Sequence, residues 1–297
     1  MSLLNGILEQ LINGLRTGSI YALIALGYTM VYGIAKMINF AHGDIIMVGA
    51  YAILFGVTLL GLPMWLAVVG GIIVCAVLGM TIERVAYRPL RQRNAPRISA
   101  LITAIGVSFL LENGFQLLFG STYRTFPSVF PATPLRFGDV RVSIGTIVTI
   151  AIVAILMVLL TLFIQRTHMG KAMRAVSEDM SAARLMGINV NTTITMTFAI
   201  GSALAAVGSV LYCAAYPQVQ PYMGSMLGLK AFVAAVFGGI GVMPGAMLGG
   251  FVMGIAESLT KGYISSQLSD AVVFGILIVI LLVKPSGIMG KPENEKV

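Results

Sequence analysis

Two histidines, two cysteines and eleven carboxylates are the chain's whole stock for imidazole, thiol or carboxylate chemistry, and their spacing discourages most of it. Cys75 and Cys213 stand far apart in apolar surroundings, which gives neither a disulfide framework nor a metal-ligand pair. His42 and His168 belong to no H-E-x-x-H pattern, no serine sits in G-x-S-x-G, and the phosphate-cradling G-x-x-x-x-G-K-[ST] is absent. The run MGKAM at Met169–Met173 lacks both the upstream glycine and the hydroxyl residue of that loop. What remains is the chemistry of isolated polar groups in apolar sequence. Glu112 and Asn113 interrupt ALITAIGVSFLLENGFQLLF, and Glu257 lies near the end of another apolar run. An acid at membrane depth costs about 3 kcal/mol unless it is protonated, paired or wet, so Glu112 is a site candidate. A structural hydrogen bond, or a side chain reaching the interface, is the competing reading.

The elements that must position these groups follow from composition. Hydrophobic residues make up 58% of the chain and charged residues 10%, with a mean hydropathy of +0.94. Soluble domains carry about 25% charged residues, so an ordinary water-facing surface is excluded. Apolar runs of bilayer-crossing length recur throughout. The pattern predicts an all-α fold, a polytopic membrane helical bundle forming a single domain over residues 1–297, with about eight or nine transmembrane helices. Spans are expected near 18–35, 41–60, 64–81, 98–118, 144–164, 192–212, 229–240, 244–259 and 268–283. The N-terminal MSLLNGILEQLINGLRTGS lacks the basic region and cleavage site of a signal peptide and reads as part of the mature chain.

The net charge of +8 sits mainly in connections. Arg84, Arg88, Arg91, Arg93 and Arg97 fall in one, Arg166, Lys171, Arg174 and Arg184 in another, and Lys284, Lys291 and Lys296 in the tail. Alternating spans put all three on one side, and the positive-inside rule makes that side cytoplasmic without invoking nucleic acid. The opposite face receives GSTYRTFPSVFPATPLRFGDVRVS and AAYPQVQPYMGSM, both rich in proline and aromatics. This parity places the N-terminus outside; residues 3–15 entering as a broken helix would reverse it. No connection is long enough to form a soluble catalytic domain. Work driven by ATP would need another subunit.

Two apolar regions share an interruption. YTMVYGIAKMINFAHGDIIMVGAYAI (28–53) and KAFVAAVFGGIGVMPGAMLGGFVMGIAE (230–257) each run apolar, break at glycine and resume rich in glycine and alanine. Such breaks in corresponding positions of two halves point to a translocation path. Unwound backbone is tolerated at membrane depth only where protein buries it or water lines it. Plain turns between spans are the other reading, with Asp44 capping a helix and Gly245 following Pro244 in a turn. The second break lies either mid-membrane or at the cytoplasmic surface.

Between two spans lies GKAMRAVSEDMSAARLMGINV, polar and built of good helix formers. Ala172, Val176, Met180 and Ala183 give it one narrow apolar face, while Gly187 ends the run. A kink near Ser181 would divide it in two. It reads either as an amphipathic linker on the inner leaflet or as a helix inserting into a pocket on a partner protein. The small side chains favour the second.

AARLMG (182–187) resembles the A-A-x-x-x-G core of the loop by which ABC importer permeases engage their ATPase subunits. VSEDMSAARLMGIN is similar to the form found in branched-chain amino acid permeases. GSIYALIALGYTMVYGIAKMINFAHGDIIMVGAY (18–51) and FVAAVFGGIGVMPGAMLGG (232–250) extend the resemblance over essentially the whole chain, close to the H-type permeases of high-affinity leucine/isoleucine/valine systems. The I-x-L-P element that follows in the wider importer signature is replaced here by INVNTTITMTF.

The resemblance implies a multi-pass permease of the bacterial cytoplasmic (inner) membrane, moving branched-chain, aliphatic amino acids inward. Its partners would be a second related permease, two ATP-binding cassette ATPase subunits, an extracytoplasmic solute-binding protein and membrane lipid. The chain would be no enzyme and bind no cofactor, ATP and magnesium residing on the ATPases. The coupling loop would span about 165–191, with Glu178, Asp179, Ala182, Ala183 and Gly187 as ATPase contacts. Asn39, His42, Asp44, Glu112, Gly238, Gly239 and Gly241 would lie on the translocation path or its gate. The rival is an ion-coupled secondary transporter or channel working through Glu112 and the broken helices. An intramembrane enzyme lacks a paired nucleophile and base on facing spans.

Overall fold

A helix lets an apolar run satisfy its own backbone without water, and this sequence takes that form almost everywhere. The computed structural model describes residues 3–131, 134–137 and 140–290. The α-helices run α1 (Leu3–Ala35), α2 (His42–Thr58), α3 (Met64–Ile82), α4 (Arg88–Gln92), α5 (Arg97–Phe119), α6 (Ile144–Arg166), α7 (His168–Glu178), α8 (Met180–Leu185), α9 (Val190–Ala215), α10 (Met223–Gly238), α11 (Met243–Tyr263) and α12 (Ser269–Val283). A π-helical stretch, Glu83–Tyr87, joins α3 to α4. Each expected span coincides with one of these helices. Five helical stretches among the described residues are long and apolar enough to cross a membrane: Asn5–Ala35, Met64–Gln92, Ile98–Phe119, Ile144–Arg166 and Val190–Ala215. α2, α10 and α12 are apolar but shorter.

Helix α1 is the hub, packed against α6, α9, α10 and α11. Its most apolar stretch is 89% buried, against 17% for that of α5, which turns Phe109, Leu110, Leu117 and Leu118 outward. Against α11, small residues let the backbones nearly touch. A Cβ on Gly18 would lie 2.8 Å from the Phe251 Cα, and one on Gly254 would lie 2.1 Å from the Gly18 nitrogen.

Several boundaries differ from the sequence expectation, for local reasons. α1 begins at Leu3 and is unbroken, because its polar first turns lie along α11, where Ser258 Oγ donates to the Gln10 carbonyl at 2.8 Å. The basic stretch after Ile82 continues as helix as far as Gln92, since Arg88 and Arg91 turn inward to Glu83. α10 starts at Met223, earlier than expected.

Four short strands add to the expected helices. β1 (Arg124–Thr125) pairs antiparallel with β4 (Gln218–Val219), and β2 (Pro134–Phe137) pairs with β3 (Val140–Ser143). The β1–β4 pair brings both proline- and aromatic-rich connections to one end, as alternating spans require. There Tyr21, Tyr123, Tyr212, Tyr216 and Tyr222 surround a recess of about 250 Å³. The other end is basic: Lys36, Arg174 and Lys284 line a cavity of about 1180 Å³ between the ends of α1, α6 and α10.

Candidate functional site

The first break lies inside the bundle. α1 stops at Ala35, Lys36 takes a left-handed φ of 54°, and the chain turns back before α2 starts at His42. The His42 ring stands edge-on to Tyr28 at 4.6 Å between centroids. Its Nε2 lies so close to Gly27 that a Cβ there would meet it at 2.5 Å. Gly27 is eight residues short of the end of α1, about 12 Å at helical rise, so α2 begins well within the bundle. The non-helical stretch is wrapped by protein. Tyr87 donates its hydroxyl to Asn39 Oδ1 at 2.9 Å, and both are buried. The Gly43 backbone touches α10, where a Cβ on Gly228 would lie 2.5 Å from the Gly43 Cα.

Asp44, in the first turn of α2, is 1% exposed and meets Glu112 of α5. Two residues far apart in the sequence, each a candidate alone, thus form a carboxylate pair. Ser225, near the start of α10, donates to Glu112 Oε1, and Ser108 stands beside Asp44. Neither Asp44 oxygen makes a hydrogen bond of ordinary geometry, and His42 Nε2 is likewise unpartnered. Asp44 therefore does not cap α2, whose Ala41 N-cap receives no side-chain bond.

The second break lies at the basic end. α10 stops at Gly238, and Gly239 and Gly241 take φ of 108° and 92°, values that favour glycine. Gly241 sits against Gly33, two residues from the end of α1. The open carbonyls of Phe237 and Gly238 accept from the Ile288 and Met289 amides at 2.9 and 3.0 Å, so the tail seals the turn. Gly238, Gly239 and Gly241 are not brought together with Asp44 and Glu112.

The connection between α6 and α9 holds two helices that break at Asp179. This residue is extended and caps α8, its Oδ1 accepting from the Ser181 and Ala182 amides at 2.7 and 3.0 Å. The kink thus falls two residues before the expected Ser181. Gly187, with φ of 81°, closes α8 in a Schellman turn, the Ile188 amide bonding Ala183 O and the Gly187 amide bonding Arg184 O. The buried face carries Gly170, Met173, Val176 and Ala183, with Met173 where the sequence pattern suggests Ala172. Glu178, Asp179, Ala182 and Gly187 are exposed, whereas Ala183 turns inward. The most exposed side chains are ones the sequence reading passes over: Leu185 at 90% and Met186 at 82%. Asn189 caps α9 where I-x-L-P is missing, accepting from the Thr192 amide.

Two further charge clusters escape the sequence pattern. Glu83, fully buried, is held by Arg88 at 3.0 Å and Arg91 at 2.9 Å and accepts from Thr195 at 2.7 Å. Glu257 bonds Lys230 at 2.9 Å, Lys261 at 2.6 Å and the Tyr21 hydroxyl at 2.6 Å, and Lys230 also reaches Asp270. A lysine inside an apolar run, as at Lys230, was the available signal for the second cluster. For the first, the partners Thr195 and Asn191 lie more than a hundred residues from Glu83, beyond any local pattern.

Residues 10–282 match the family model described as branched-chain amino acid transport system / permease component. The chain is 48% identical to the high-affinity branched-chain amino acid transport system permease protein LivH of Escherichia coli (strain K12), over 98% of this chain and 97% of the relative. It is 46% identical to LivH of Salmonella typhimurium, with the same coverage. Identity to the corresponding permease protein BraD of Pseudomonas aeruginosa is 47%, over 98% of each chain. These likenesses agree with the multi-pass helical bundle, and the chain belongs to the branched-chain amino acid transport permease family.

Proposed function

We propose that this chain is the membrane-spanning permease subunit of an ATP-driven importer of branched-chain amino acids. The observation that carries the reading is identity of 46–48% along nearly the whole length of permeases named for that transport. As proposed, the chain crosses the bacterial cytoplasmic membrane about eight or nine times as one domain, α2, α10, α11 and α12 completing the five long spans. The basic end faces the cytoplasm. It pairs with a second permease and receives substrate from an extracytoplasmic binding protein. Two ATPase subunits hold the ATP and magnesium, and this chain supplies movement rather than catalysis.

The surface for that coupling is α7–α8. Leu185 and Met186 form an apolar knob held out by the Gly187 turn, with Glu178, Asp179 and Ala182 around it. Knobs of this kind seat in pockets on a partner. α7 packs on α6, α1 and α9, so a push on the knob reaches the helices that enclose His42 and the start of α2. A rigid shift of packed helices would then open or close the path near Asn39, His42, Asp44 and Glu112.

The experiment is reconstitution of the full complex in liposomes with radiolabelled leucine. Uptake should require ATP, and Gly187→Val or Glu178→Lys should leave the complex hydrolysing ATP with little uptake. Accumulation by this chain alone on an ion gradient would defeat the reading and favour a secondary transporter.

A further inference from the structure

The structure holds three buried acidic sites, and two of them are neutralised. Glu83 has two arginines, and Glu257 has two lysines. Asp44 and Glu112 have each other, the Ser225 hydroxyl and Ser108, with no cation in any described ion pair. Asp44 is 1% exposed and Glu112 is 5% exposed, yet both Asp44 oxygens are without a hydrogen-bond partner. A buried carboxylate with free lone pairs is expensive unless something occupies them.

The surroundings supply only part of the balance. The N-termini of α2 and α10 converge here, a Cβ on Gly224 meeting Gly43 O at 2.3 Å. Each terminus contributes roughly half a unit of positive charge, so together they offset about one of the two carboxylates. One unit of negative charge is left for a monovalent cation. Among the described residues no trio of His, Cys, Asp and Glu is gathered for a metal ion.

The pair also lies where a ligand can reach it. α2 packs against both α5 and α10 and floors the space between them. Ser225 is exposed at its edge, and Phe109, Met226 and Leu229 stand exposed around it. Against lipid, a carboxylate pair so near the surface would be costly, so this face suits a path shared with another subunit. Carboxylates and a hydroxyl below apolar walls match a compact group with three N–H donors that carries an aliphatic side chain.

We propose that Asp44 and Glu112 form the subsite for one primary ammonium group, the α-ammonium of the amino acid in transit. The assignment rests on the importer reading given above. The aliphatic part of the substrate lies against Phe109, Met226 and Leu229, and Ser225 orients Glu112 toward the charge.

The test uses the full complex in liposomes. Asp44→Asn and Glu112→Gln keep shape and remove charge, and each should lower leucine uptake about tenfold to a hundredfold, the scale of a charged hydrogen bond. Asp44→Glu should recover part of it. Since Asn and Gln also mimic a protonated acid, wild-type uptake in both variants would mean that the pair merely stores a proton, and would overturn the proposal. A binding readout is independent of transport: hydrophobic carbodiimide labels Glu112, read by mass spectrometry, and isobutylamine should protect it in the wild type and not in Asp44→Asn. Absence of protection, or equal protection by sodium chloride, overturns the ammonium assignment even if leucine uptake is intact. Failure of the wild type to take up leucine strikes the importer reading instead, and the amine protection still decides the subsite.

Discussion

Residues 36–41 and 239–242 interrupt apolar sequence in much the same way, yet they lie at different depths. The first leads to a helix that starts beside Gly27, with Asn39, His42 and Asp44 buried around it. The second closes beside Gly33, near the end of α1, and carries glycines without an ionisable side chain. Surroundings account for the contrast. Tyr87 and the Gly224–Gly228 strip of α10 wrap the first stretch, so backbone away from α1's end is still enclosed by protein. The second needs only the tail amides at Ile288 and Met289. A glycine-rich interruption reports that a helix stops; its neighbours decide how deep.

The sharpest way to break this contrast is Gly43→Leu. A Cβ at Gly43 would lie 2.6 Å from the Gly224 carbonyl oxygen, so α2 and α10 must separate. Overpacking of this kind costs about 1–3 kcal/mol, and the displaced start of α2 should abolish leucine uptake in the reconstituted complex. Next in size is Asn39→Ala, which strands the buried Tyr87 hydroxyl at a cost of about 2 kcal/mol, measurable as a lower melting temperature in detergent. Gly241→Ala should be milder. Its φ of 92° disfavours a side chain, but the nearest atom to a new Cβ is 3.6 Å away, leaving a strain of about 1 kcal/mol. Uptake should survive, and a loss as deep as that of Gly43→Leu would erase the distinction between the breaks. The smallest perturbation is labelling with an impermeant maleimide from the basic side. A cysteine replacing Ile240, which lines the basic cavity, should react quickly, and one replacing the fully buried Ala41 slowly. Cys75 and Cys213 are buried and should stay silent.

Much of the fold was legible because hydrocarbon length and helix length are tied together. The runs near 98–118 and 144–164 matched α5 and α6 closely for that reason. α1 was read fifteen residues short, since Asn5, Glu9 and Gln10 look like loop in isolation and are helical only because α11 lies alongside. For the site, Asp44 and Glu112 each stood out as an acid in apolar sequence. Their meeting did not, because it depends on α2 lying between α5 and α10. Leu185 and Met186 were missed because an apolar pair after a helical run resembles core until the turn at Gly187 shows it facing out.

The seal on the second break comes from the far end of the chain. A ribosome releases Phe237 and Gly238 some fifty residues before Ile288 and Met289, whose amides complete that turn. During synthesis the α10–α11 corner therefore enters the bilayer with open carbonyls. Only when the last residues emerge does the nascent protein latch shut, and a ribosome stalled at Val283 would leave twelve threaded helices with their final corner unlocked.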